Sequence, residues 1–115
     1  MSAEIKEMLK TIELNVSQVD LLLNKDFREG KDELEALYNE VSYFILQFFP
    51  DAEKRITKLI QSVPICYSNF GIEETEGEEQ TCYISYLKVI RNTLISFKKE
   101  LQTKARNIIN QQVWI

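Results

Sequence analysis

The side chains that most often do chemistry are unevenly stocked in this chain of 115 residues. Histidine is absent, which removes His-based triads, His-ligated metal sites and histidine proton shuttles. Carboxylates such as Asp20, Asp26, Glu29, Asp32 and Glu40 are plentiful. Acid–base catalysis needs two of them converging in a cleft with shifted pKa values, and the spacing places no pair there. Cys66 and Cys82 match no C-x-x-C pattern, fall short of a four-ligand zinc site and lack the histidine that usually activates a thiol. Gly30, Gly71 and Gly77 stand alone, so no phosphate loop is built from glycines. Between Glu73 and Glu79 lie five carboxylates without the spacing of a cation loop, and the run reads as a self-repelling surface loop. No catalytic residue, cofactor or metal is expected, and the chain reads as non-enzymatic.

Charge is the second possible chemistry. The net charge is −4, but residues 1–79 hold 8 basic and 17 acidic side chains while residues 80–115 hold 6 and 1. At about 100° per residue, Lys88, Arg91, Lys98, Lys99 and Arg106 fall on one arc of a helix. That arc is a candidate polyanion-binding face. An overall acidic chain argues against nucleic acid, whose binding domains usually have a pI above about 9.

These groups must be held by few, long elements, because only three glycines and two prolines punctuate the chain. Ile5, Met8, Leu9, Ile12, Val16, Val19 and Leu23 recur at helical steps and predict a helix over 3–24, with Ser2 as its cap. Gly30 is placed in the connection that follows. Asp32 and Glu35 have the form of a capping box ahead of a helix over 33–49, which Pro50 ends. Asp51 caps a short helix over 52–63. The long connection from Pro64 to Gln80 includes a brief extended stretch, Ile65–Tyr67, and a turn, Asn69–Gly71. Tyr83, Leu87, Ile90, Leu94, Phe97, Leu101, Ala105 and Ile108 predict the last helix, over 81–110. The expected fold is an all-α antiparallel bundle of about four helices. It forms one domain over 1–115, alone or as the N-terminal module of a longer protein.

Two family resemblances bear on function. Arg91-Asn92 is superficially similar to the start of the Arg-x-x-x-x-His motif of HEPN ribonucleases, but the fifth position after Arg91 is Ser96. The histidine to carry over is missing. From about Asp26 to Gln102 the order of features resembles a helical accessory module at the N-terminus of some bacterial defence proteins, where it precedes a TIR-like or other nucleotide-binding effector domain. The features are Asp32–Glu35, the aromatic end Phe44–Phe49, Pro50-Asp51, Ile56–Val63, the acidic loop, and the helix carrying Tyr83, Tyr86, Leu87, Leu94, Ile95, Phe97 and Lys98. The resemblance implies an interaction or assembly role and supplies no site residues.

Two apolar surfaces fit such a role: Tyr43, Leu46 and Phe49 at the over-apolar end of the second helix, and the tail Val113, Trp114 and Ile115. The expectation is a protein-interaction or oligomerisation module whose partner is a second copy or a linked effector domain. A homo-oligomer is expected, and polyanion binding by the last helix is the alternative. No apolar run reaches the length of a membrane span, and Met1–Glu7 lacks the character of a signal peptide. A cytoplasmic protein with reduced thiols follows as an expectation; a disulfide closing residues 66–82 is the other reading.

Overall fold

A computed structural model describes residues 3–63 and 76–113, with side chains up to residue 107 apart from that of Glu76. Its elements are α1 (Ala3–Leu23), α2 (Phe27–Phe48), α3 (Ala52–Ser62) and α4 (Glu76–Val113). The chain is an all-α bundle, as its hydrophobic spacing predicts. Ser2, the stretch Ile65–Tyr67 and the turn Asn69–Gly71 lie outside the described residues.

The core is one apolar seam. Tyr83, Leu87, Ile90, Leu94, Phe97, Leu101 and Ala105 of α4 are all buried, as are Ile12, Val19 and Leu22 of α1, Leu37, Val41, Phe44 and Ile45 of α2, and Leu59 of α3. Steps of three and four put each set on one side of its helix. α4 touches all three other helices, whereas α1 and α3 do not touch each other. Ion pairs from Asp20 to Arg91 and from Glu13 to Lys98 show that α1 runs antiparallel to α4. The sides α2 and α4 show each other are joined by Tyr38 against Tyr86, with ring centres 6.3 Å apart, and by Phe44 against Phe97 at 6.5 Å. The result is an α2–α4 pair flanked by α1 on one side and α3 on the other.

Helix α2 begins six residues before the expected boundary. Its N-cap is Asp26, whose carboxylate accepts from the Glu29 N–H at 3.0 Å, while the Phe27 N–H donates to Gln80 Oε1 of α4 at 2.8 Å. Asp26-x-x-Glu29 offers the same capping chemistry as Asp32-x-x-Glu35, and the tertiary bond from Gln80 favours the earlier start. Gly30 therefore lies inside the helix and is buried, not in a connection. A Cβ on it would come within 2.0 Å of the Tyr83 hydroxyl oxygen and 2.8 Å of Cζ. That hydroxyl donates to the Leu22 carbonyl at the end of α1, at 2.5 Å. Burial, followed by the nearby Glu33, Asp26 and Glu29 carboxylates, pushes the Tyr83 phenol above its ordinary value of 10.0, so it stays protonated and able to donate.

Helix α4 also starts early, at Glu76, and runs on to Val113. Residues 76–79 of the acidic run are thus a helical first turn, where negative charge meets the positive end of the helix dipole. They are not loop; Glu73 and Glu74 lie outside the described residues.

Cys82, in the second turn of α4, is disulfide-bonded and not a thiol. This corrects the expectation of reduced cysteines; Cys66 lies outside the described residues. Alkylation of the denatured but unreduced chain is therefore expected to leave Cys82 unmodified in peptide mass spectra, and a fully alkylated Cys82 would contradict the bond.

Alanine gains about 1 kcal/mol of helix propensity over glycine, but a methyl forced into filled space costs about 1–3 kcal/mol. Gly30→Ala should therefore lower stability to chemical denaturation, by up to about 2 kcal/mol net. Tyr83→Phe removes the nearest clashing atom, so the double variant should lose less than the sum of the two singles. A more stable Gly30→Ala would show that Tyr83 is free to move aside.

Candidate functional site

Five large apolar side chains remain well exposed among the described residues: Leu14, Leu21, Tyr43, Leu46 and Ile60. Four of them belong to α1 and α2. Helices α1 and α2 leave an open groove of about 640 Å³ between them, lined by residues that include Glu7, Thr11, Asn15, Tyr43, Phe44 and Phe48. Tyr43 stands on its lip with 66% of its surface exposed, and Leu46, at 61%, follows one turn later. At about 100° per residue, Leu14 and Leu21 fall within about 40° of Glu7, on the same side of α1 as the groove. These leucines sit off the core stripe, seven residues apart. That spacing is visible in the sequence, but the stripe from Ile5 to Leu23 draws attention away from it.

One polar residue takes part in the groove lining from α1's buried side. Asn15 is the one buried polar residue among those described, with 5% exposure. No sealed polar side-chain atom among the described residues lacks a hydrogen-bond partner, so Asn15 carries no unmade bond.

The residues expected at the partner surface divide. Tyr43 and Leu46 are exposed, but Phe49 is buried at 7% and belongs to the core. Its ring lies 4.9 Å from that of Phe97 and 6.0 Å from Phe44. Phe49 is the C-cap of α2, where the chain leaves helical geometry with φ −116° and ψ 128°, and extrapolating the helical wheel past that bend aims the ring wrongly. Val113 is the last residue of α4; Trp114 and Ile115 lie outside the described residues.

The basic arc of α4 divides too. Arg91 pairs with Asp20 at 3.2 Å and Lys98 lies 3.7 Å from Glu13, so α1 supplies acids along that edge. Lys88, Lys99 and Arg106 are exposed and make no ion pair among the described residues.

A polar cluster that residue spacing does not reveal closes the other side. Arg55 of α3 grips Glu100 of α4 with two bonds, at 2.9 and 2.6 Å, and donates through Nε to Asp51 at 2.7 Å. Its guanidinium lies 4.1 Å from the centre of the Phe49 ring. Paired forks of this kind are geometrically demanding, and stacking on an aromatic face adds to them. Asp51 sits at the N-cap position of α3 but makes no side-chain cap bond. Its carboxylate goes to Arg55 instead.

No group of three or more potential metal-ligating side chains comes together among the described residues, and no described helix is long and apolar enough to cross a membrane. Comparison with protein-family models, with curated proteins and with solved structures finds no match to this chain.

The hydrogen bond from Arg55 is the largest influence holding the Asp51 carboxyl below its ordinary value of 3.8. A depressed carboxylate contributes stability above its unfolded pKa and loses it as the pH falls through the folded one. Asp51→Asn should therefore be less stable than the parent above pH 3.8, with the difference shrinking below it. Denaturation curves across that window test this, and a difference that is unchanged in acid would refute the pairing.

Proposed function

We propose that this chain is a non-enzymatic helical module that associates with a second copy of itself through the α1–α2 face. The observation that carries the reading is that four of the five exposed large apolar residues described, Leu14, Leu21, Tyr43 and Leu46, belong to the adjacent helices α1 and α2, with Tyr43 lining the groove between them. Solitary exposed leucines are ordinary, whereas contiguous apolar surface marks contacts. Polar residues of the groove, among them Glu7, Asn39 and Glu40, stand beside Tyr43 and would supply the polar contacts that accompany apolar ones at an interface. Two antiparallel helices presenting one face suit a two-fold contact, in which the same surface serves both partners. The resemblance to helical accessory modules of bacterial defence proteins implies an assembly role of the same kind, serving a linked effector domain.

Light scattering at low and high salt is expected to find a dimer or larger species that persists in high salt, because apolar association is not screened. Leu46→Glu and Leu14→Glu should each shift it toward monomer with the helical circular dichroism unchanged. A monomer under every condition would sink self-association.

A further inference from the structure

The opposite face carries a second site. Helices α3 and α4 bound a groove of about 510 Å³. Its α3 wall presents Lys54 and Lys58, one turn apart, with Arg55 and Ser62; its α4 wall presents Asn92, Thr93 and Ser96. At about 100° per residue, Lys99 and Lys88 fall within about 40° of Asn92, so they stand on the outer rim of the α4 wall. Two lysines of α3 thus line the trough, and two of α4 stand beside its other wall.

Among the described residues Lys54, Lys58, Lys88 and Lys99 make no ion pair, although the charge of Lys54 acts on the Asp51 carboxylate. The acid lining the groove, Asp51, is committed to Arg55, and so is the neighbouring Glu100. The four lysines and Arg55 thus stand as five cations against the two carboxylates Asp51 and Glu100, so positive charge is in excess around the groove. A cleft with an excess of one sign of charge concentrates the opposite ion. The remaining lining groups, the Asn92 amide and the Thr93, Ser96 and Ser62 hydroxyls, are hydrogen-bond donors. Ser62, Thr93 and their hydroxyls already donate to Lys58 and Val89 carbonyls, which leaves Asn92 and Ser96 as the available ones. The one aromatic residue in the lining, Phe97, is buried at 5% and presents no open ring on which a base could stack.

From this we infer that the α3–α4 groove binds a polyphosphate chain, with Lys54 and Lys58 on one side and Lys88 and Lys99 on the other as its counter-charges. Asn92 and Ser96 donate hydrogen bonds to the phosphate oxygens between them. Inorganic polyphosphate and the triphosphate of a nucleotide share that chemistry. Arg91 and Lys98, paired with α1, take no part.

Titration of the full chain with tripolyphosphate, followed by calorimetry and by amide shifts, is the test. A saturable isotherm is expected, with shifts concentrated at Asn92 and Ser96 and an affinity that falls steeply with salt. Lys54→Glu/Lys58→Glu should weaken binding at least tenfold while the helical dichroism is retained. Arg91→Gln/Lys98→Gln should leave it within about twofold of the parent. ATP binding as tightly as tripolyphosphate supports recognition through the phosphates. No binding of tripolyphosphate, binding of ATP alone, or equal losses in both double variants would each overturn the proposal.

Discussion

Everything in this fold depends on a single apolar stripe along α4. Three helices of 21, 22 and 11 residues share one helix of 38 as their common wall. Burial of apolar area is the main favourable term in folding, and it has no preferred direction. Direction comes from the stripe's width: residues at steps of three and four offer one side to α2, and the flanks on either side of it to α1 and α3. That arrangement explains why both outer faces of the molecule are two-helix faces, each with its own groove.

Polar contacts then fix the register that the apolar seam leaves loose. Near one end, Tyr83 and Gln80 of α4 reach the α1–α2 turn, bonding the Leu22 carbonyl and the Phe27 N–H. Near the α2–α3 corner, Arg55 joins Asp51 and Glu100 over the rings of Phe49 and Phe97. Buried backbone groups at helix ends need partners, and here side chains of a distant helix provide them. A helix sliding by one turn would break one clasp without making another.

Much of this was legible from residue spacing, and the failures are physical. The periodic residues of α4 from Tyr83 to Ala105 are the buried ones, because a helix exposed on one side must repeat its apolar residues at its own pitch. The beginning of α2 escapes the local pattern because Gly30 looks like a breaker when read locally, whereas its missing Cβ makes room for Tyr83 from more than fifty positions away. Phe49 escapes it for a similar reason, since the wheel does not survive the bend at a C-cap. For the functional surfaces, exposed Tyr43 and Leu46 were visible as excess apolar residues. The lysines of α3 joined those of α4 only in three dimensions, and the disulfide at Cys82 follows from no spacing rule.

The position of α3 has a consequence for how the molecule breathes. This helix fully buries one residue, Leu59, does not touch α1, and adds to that the partly buried Ala52 and Ile56 and the Arg55–Glu100 bridge. Segments with few buried contacts open at lower free energy than the fold as a whole. Helix α3 is therefore the part of the seam whose amides exchange hydrogen earliest, and its departure uncovers the Phe49 and Phe97 rings while the α1–α2–α4 unit stays folded. Anything that bridges α3 to α4 holds that door shut, so occupancy of one face of the protein is coupled to the order of the shared aromatic core.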